Sequence, residues 1–137
     1  MSLQPVPIQN VPGVPDYTCT AFLPKSSDYC LLIPVINEGS RILTELGRAQ
    51  KAGVDRLVDI VICDGGSTDG SMNPDTLELY GVNTLLVKTG PGKQGAQLRM
   101  GLHFALTFGY KGVLTIDGNN KDCLLYTSDA ADDLTRV

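Results

Sequence analysis

Four short apolar runs rich in branched residues are separated in this chain by stretches with helical spacing, and each run stops at a polar or glycine-rich segment. The runs are "YCLLIPVI" (29–36), "LVDIVIC" (57–63), "VNTLLVK" (82–88) and "GVLTI" (112–116). Between them, "EGSRILTELGRAQKAG" carries Ile42, Leu43, Leu46 and Ala49 on one stripe and closes on Gly53. Pro74 to Tyr80 suit a short helix with the proline in its first turn. "KQGAQLRMGLHFALTFGY" places Leu98, Leu102, Ala105 and Leu106 on a stripe expected to face the core, with Gly109 as its stop. Strand–helix alternation of this kind requires right-handed crossovers. The expected fold is therefore α/β: three layers, a mostly parallel sheet with helices on both faces.

The flanks differ from this pattern. Residues 1–28 hold five of the eight prolines (Pro5, Pro7, Pro12, Pro15 and Pro24) and show neither period, so they read as an extended leader lying on the surface. The segment "CLLYTSDAADDLTRV" (123–137) also breaks the alternation and offers no apolar face to bury. Residues 123–132 resemble the translation of a transposon-end sequencing adapter. That resemblance implies that the native sequence ends near Asp122 and that the chain is the front half of a longer protein; an ordinary polar tail is the alternative. The credible domain is then 29–122.

At 137 residues the chain is long enough for one domain with a core. Its formal net charge of -4 opposes nucleic acid and anionic membrane unless a local basic patch reverses it. No apolar run approaches the ~20 residues of a membrane span, and the first residues lack the basic and apolar regions of a signal peptide. Cys19, Cys30, Cys63 and Cys123 have no CxxC spacing, so a zinc site or disulfide framework is not expected and a reducing, cytoplasmic setting is.

In an open parallel sheet, ligands bind outside the carboxyl ends of the strands. The first strand ends in Asn37 and Glu38, and the second in Asp64 with Gly65 and Gly66. The third runs into "TGPGK" (89–93), and the fourth into Asp117, Gly118, Asn119 and Asn120. All four deliver polar groups to one edge. Asp64 suits the hydroxyls of a ribose or the imide of a base, while Gly65 and Gly66 let the backbone turn sharply and a ligand approach closely. Lys93 and Arg99 offer positive charge for a diphosphate, next to helix-terminal N–H groups. Asp117 and Asn119 are hard oxygen ligands suited to Mg²⁺ or Mn²⁺. Together these groups describe a nucleotide diphosphate bound through a divalent metal.

The motifs "IPVINE" (33–38), "DGGSTDGS" (64–71), "GKQGAQLRMGL" (92–102) and "TIDGNN" (115–120) resemble, in order and spacing, the family 2 glycosyltransferases of GT-A fold. Within them the chain is similar to the dolichol-phosphate mannose synthase-like branch. The resemblance spans roughly 29–122. It implies that Pro34, Val35, Asn37 and Glu38 line a nucleoside pocket, that Asp64 holds the base, and that Asp117-Gly118-Asn119 is the metal motif. Two departures stand out: Gly65 where the family usually has a second Asp, and Asn119 where it has the second metal-motif Asp. The implied reaction is inverting transfer of a sugar from a UDP- or GDP-sugar to an acceptor, of which a polyprenyl phosphate is one. The acceptor-side base is expected outside this chain, leaving a fragment that binds nucleotide without turnover. The full-length protein is expected in the cytoplasm, with membrane attachment dependent on further sequence.

Other readings compete. Ser67 and Asp69 suit capping better than catalysis, and Asp64 can also serve a turn. Asn37 and Glu38 suit the start of the first helix equally well. His103, alone of its kind, reads as structural, and Tyr80 and Tyr110 as packing at helix ends. "GPGKQG" (90–95) has the outline of a dinucleotide fingerprint with Asp117 downstream, which suggests an NAD-dependent oxidoreductase. Against it, Pro91 has no N–H to offer a pyrophosphate.

Overall fold

The computed structural model describes residues 4–116 and 123–127. Its elements run β1 (Val6–Ile8), β2 (Tyr17–Ala21), β3 (Tyr29–Val35), α1 (Ser40–Lys51), α2 (Val54–Leu57), β4 (Asp59–Asp64), α3 (Pro74–Leu79), β5 (Val82–Lys88), α4 (Gln94–Thr107), β6 (Gly112–Ile116) and β7 (Cys123–Thr127). They build one mixed sheet in the order β1-β2-β5-β4-β3-β6-β7. The central four strands, β5, β4, β3 and β6, are mutually parallel, and the outer pairings are antiparallel. The α/β expectation holds, with a Rossmann-like arrangement.

The two-residue period divides each central strand between the layers. Cys30 and Leu32 of β3, with Val61 and Cys63 of β4, join Met100, Phe104 and Ala105 of α4 in one core. Leu31, Ile33 and Val35, with Ile60 and Ile62, join Ile42 and Leu46 of α1 and Leu77 of α3 in the other. Burial on both faces explains why β4 reads as an almost unbroken apolar run. Of the acids at its two ends, Asp59 is 2% exposed and accepts hydrogen bonds from the Ser26 N–H and hydroxyl and from the Tyr110 hydroxyl. Tyr110, expected as packing at a helix end, is thus buried and bonded inside the core.

The buried face of α4 is rotated from the expected stripe. Ala96, Gln97, Met100, Gly101, Phe104 and Ala105 are buried, whereas Leu106 is 62% exposed. The helix needs its smallest residues inward: a Cβ on Gly101 would lie 2.8 Å from Cys63 Sγ and 2.9 Å from Leu32 Cδ1.

Both flanks add strands. The leader is extended, as expected, yet it is no overlay. Residues Tyr17–Ala21 pair with Lys88–Thr84 of β5, and Tyr17 and Cys19 belong to the core under α4. Alternation in "YTCTA" suits a half-buried strand, and β5 would otherwise present an unpaired edge. His103, read as structural, shares a 2.7 Å hydrogen bond with the Tyr17 hydroxyl. At the opposite side Cys123–Thr127, expected to lie outside the pattern, pairs antiparallel with β6, whose free edge it covers.

Candidate functional site

The topology singles out one place on this sheet. From β3 the chain steps outward through β4 to β5, with α1, α2 and α3 on one face. It then returns over the other face through α4 to β6, on the far side of β3. Strand order therefore reverses between β3 and β6. At such a reversal the loops on either side diverge and open a crevice at the carboxyl edge. Segments 36–39, 65–73 and 89–93 all leave the sheet at this edge, and β6 ends on it at Ile116.

Two of these loops are sewn together. Asn37 adopts a left-handed conformation (φ 47°), which a short polar side chain tolerates. Its N–H donates to Ser67 Oγ at 2.8 Å, and its Oδ1 accepts the Thr68 N–H at 2.8 Å. The Gly39 N–H donates to Asp69 Oδ2 at 3.0 Å. Asp69 also accepts the Ser71 hydroxyl and N–H, and the Ser71 hydroxyl, ahead of the backbone donors, holds its carboxyl below the usual range. Gly66, at φ 104°, makes the turn that brings Ser67 back over the strand end.

Asp64 closes β4 and is 2% exposed. Its carboxylate accepts the Ser67 hydroxyl at 2.6 Å and the Ser67 N–H at 3.1 Å. The turn reading is met: Asp64 organises its own turn from beneath the strand end. Pro34 is half-buried, Val35 buried and Asn37 exposed at the rim. Glu38 is paired with Arg41 one helical turn on.

The third loop stands over the other face. Lys93 is exposed and immediately precedes α4, whose first turn has no acidic residue and no side-chain cap. Gly92, at φ 121°, approaches so closely that a Cβ would lie 2.4 Å from the Ala96 Cβ. The Arg99 Nε donates to the Gly13 carbonyl of the leader at 3.0 Å. The same leader fixes the loop's base, where the Thr89 and Gly90 N–H groups donate to the Asp16 carbonyl at 2.8 and 2.9 Å.

Sequence reasoning missed Gln97. It is 4% exposed, and its Nε2 donates to the Val35 carbonyl at 2.8 Å and the Cys63 carbonyl at 2.9 Å. The Val35 carbonyl also accepts the Gly65 N–H at 2.8 Å. A signal was present: Gln97 lies one helical step from Met100 and Gly101, a lone amide on the buried stripe.

Asp117 and Asn119, the expected metal ligands, lie outside the described residues. Among the described residues, no group of three or more His, Cys, Asp or Glu side chains could hold a metal ion. Cys19, Cys30 and Cys63 are free and buried. No described helix is long and apolar enough to cross a membrane. Comparison of the chain with protein-family models, curated proteins and solved structures returned no match in any of the three.

Proposed function

We propose that the carboxyl edge of this sheet binds a nucleotide-diphospho-sugar and that the chain forms the donor-binding part of an inverting glycosyltransferase of GT-A type. One observation carries the reading. Strand order reverses between β3 and β6, and the loops that leave that edge hold the acid, glycine turns and cation this donor requires.

Roles follow from position. The loops after β3 and β4, fixed to each other through Asn37, Ser67 and Asp69, form the wall for the nucleoside. Asp64, buried below that wall, sets its shape and supplies the negative potential that favours N–H and O–H donors of base or ribose. Across the crevice, Lys93 and the uncapped N–H groups of α4 suit the diphosphate. Asp117 and Asn119, which follow β6 in the sequence, would be the oxygen donors for Mg²⁺ or Mn²⁺. A divalent ion there would supply charge to the departing diphosphate. In the transfer itself, an acceptor oxygen forms a bond to the anomeric carbon as the bond to the diphosphate oxygen breaks on the opposite side. A polyprenyl phosphate acceptor would bring its own ionised oxygen and need no base from the described residues.

The dinucleotide reading is served less well. A dinucleotide fingerprint follows the strand at the switch point. "GPGKQG" follows β5, which β4 and β3 separate from β6.

Thermal unfolding of the full chain with UDP, GDP or NAD, each with and without Mn²⁺, tests the proposal. We expect UDP or GDP to raise the midpoint by several degrees, more with Mn²⁺, and NAD to leave it unchanged. Stabilisation by NAD alone, or by none of the three, overturns the reading.

A further inference from the structure

Gln97 is a buried carboxamide whose two N–H bonds are both spent on main-chain oxygens at the carboxyl ends of neighbouring strands. In a regular parallel sheet, the last carbonyls of a strand have lost their ladder partners and are met by water or by side chains. Here a helix from another layer meets them. The Val35 carbonyl receives the Gly65 N–H as well, so strand end, glycine turn and helix share a single oxygen.

The same side chain explains a residue. A Cβ on Gly65 would fall 3.0 Å from Gln97 Cδ, 3.1 Å from Oε1 and 3.2 Å from Nε2. Gly65 shows no left-handed φ, so its backbone does not require glycine. The space is occupied by the carboxamide. This position, and not the turn conformation, accounts for a missing side chain directly after Asp64.

We infer that Gln97 is the positioning residue of the edge, setting the distance between the Gly65–Ser67 turn and the Lys93 end of α4. Both parts of the donor site lie within a few residues of it: Asp64 beside Gly65 on one side, and Lys93 one helical turn before Gln97 on the other. Loss of its hydrogen bonds leaves the sheet core intact and frees the first turn of α4 to shift relative to β3 and β4. The consequence for ligand rests on the donor-binding reading; the consequence for the two loops does not.

Two variants of the full chain separate these consequences. Gln97→Met keeps the volume and removes both donors. Gln97→Glu keeps the shape, but its carboxylate faces two carbonyl oxygens; protonation at low pH restores a single donor. Amide hydrogen exchange and the UDP and GDP affinities are measured for the parent and both variants from pH 5 to 8. We expect at least 10-fold faster exchange at Gly65 and Ser67 in Gln97→Met at every pH, with Ile60–Ile62 unchanged. In Gln97→Glu, that protection and the affinity are expected to return as pH falls. Nucleotide affinity should drop at least 10-fold in Gln97→Met. Unchanged loop exchange overturns the inference; altered exchange with parental affinity upholds Gln97 as the residue that holds the turn and overturns the consequence drawn for ligand. If the parent chain binds neither nucleotide, the donor-binding reading fails, and the exchange data alone still decide whether Gln97 holds the two loops.

Discussion

The Tyr110 hydroxyl donates to the carboxylate of Asp59 at 2.7 Å, joining the residue that opens β4 to the turn that leads into β6. The same carboxylate accepts the Ser26 hydroxyl at 2.6 Å and the Ser26 N–H at 2.9 Å, so three separate chain segments meet on one buried acid. This junction lies at the amino end of the parallel strands, opposite the crevice. Tyr110→Phe removes one partner and should cost about 1–2 kcal/mol. Asp59→Ala strands every donor and should cost about 3 kcal/mol or more. Urea denaturation of both variants checks the order; a costless Asp59→Ala would show that the buried acid is dispensable.

Alkali should unfold the chain unusually early. Burial pushes the Cys19 thiol up to about 11 and the Cys30 thiol to about 12, and drives Cys63, Tyr17 and Tyr110 upward as well. Each group has a higher value folded than unfolded. Its contribution is therefore complete below the unfolded value, near 9.0 for thiols and 10.0 for tyrosines, and is lost as pH rises toward the folded value. Stability should fall from pH 9 upward by as much as ~1.4 kcal/mol per pH unit for each group titrating. Urea midpoints between pH 7 and 11 measure the slope, and Cys30→Ala should flatten it. Constant stability to pH 11 contradicts the prediction.

The contact of α4 with the sheet admits no methyl group at Gly101. Alanine there must displace Cys63 Sγ and Leu32 Cδ1, which would lie 2.8 and 2.9 Å from the new carbon. Overpacking of this kind costs about 1–3 kcal/mol. Cys63→Ala, combined with Gly101→Ala, should recover part of that loss, since it relieves one of the two collisions. Additive losses in the double variant would show that the layers do not share this space.

The junction of the first two loops depends on Ser67, which donates to Asp64 and accepts from Asn37. Ser67→Ala should cost about 1–2 kcal/mol and leave the Asn37 N–H without its partner. Asn37→Ala adds the strain of a left-handed alanine, whereas Asn37→Gly avoids it. The glycine variant should therefore be the more stable of the two by about 1 kcal/mol in chemical denaturation.

Most of the framework was legible because it rests on local periodicity. The runs at 29–36, 82–88 and 112–116, both longer helical patterns and the short helix after Asn73 became elements nearly where spacing put them. The same alternation placed the strand ends on one edge, which the parallel pairing of β3 to β6 bears out. What escaped was relational. Gln97 matters because of Val35 and Cys63, which are 62 and 34 residues away. Asp59 matters because of Ser26 and Tyr110, and Arg99 because of the Gly13 carbonyl. No window along the chain contains such pairs. The leader misled for another reason: its prolines masked "YTCTA", a short β-forming run whose partner β5 lies more than 60 residues on.

Three residues, Val6–Ile8, form the outermost strand on the leader side, and Pro7 is at their centre with Pro5 just before them. Proline has no amide hydrogen to offer an incoming chain. A neighbouring molecule that tried to extend the sheet there would meet gaps instead of a continuous row of donors, so fibrillar growth from this border is blocked by composition alone.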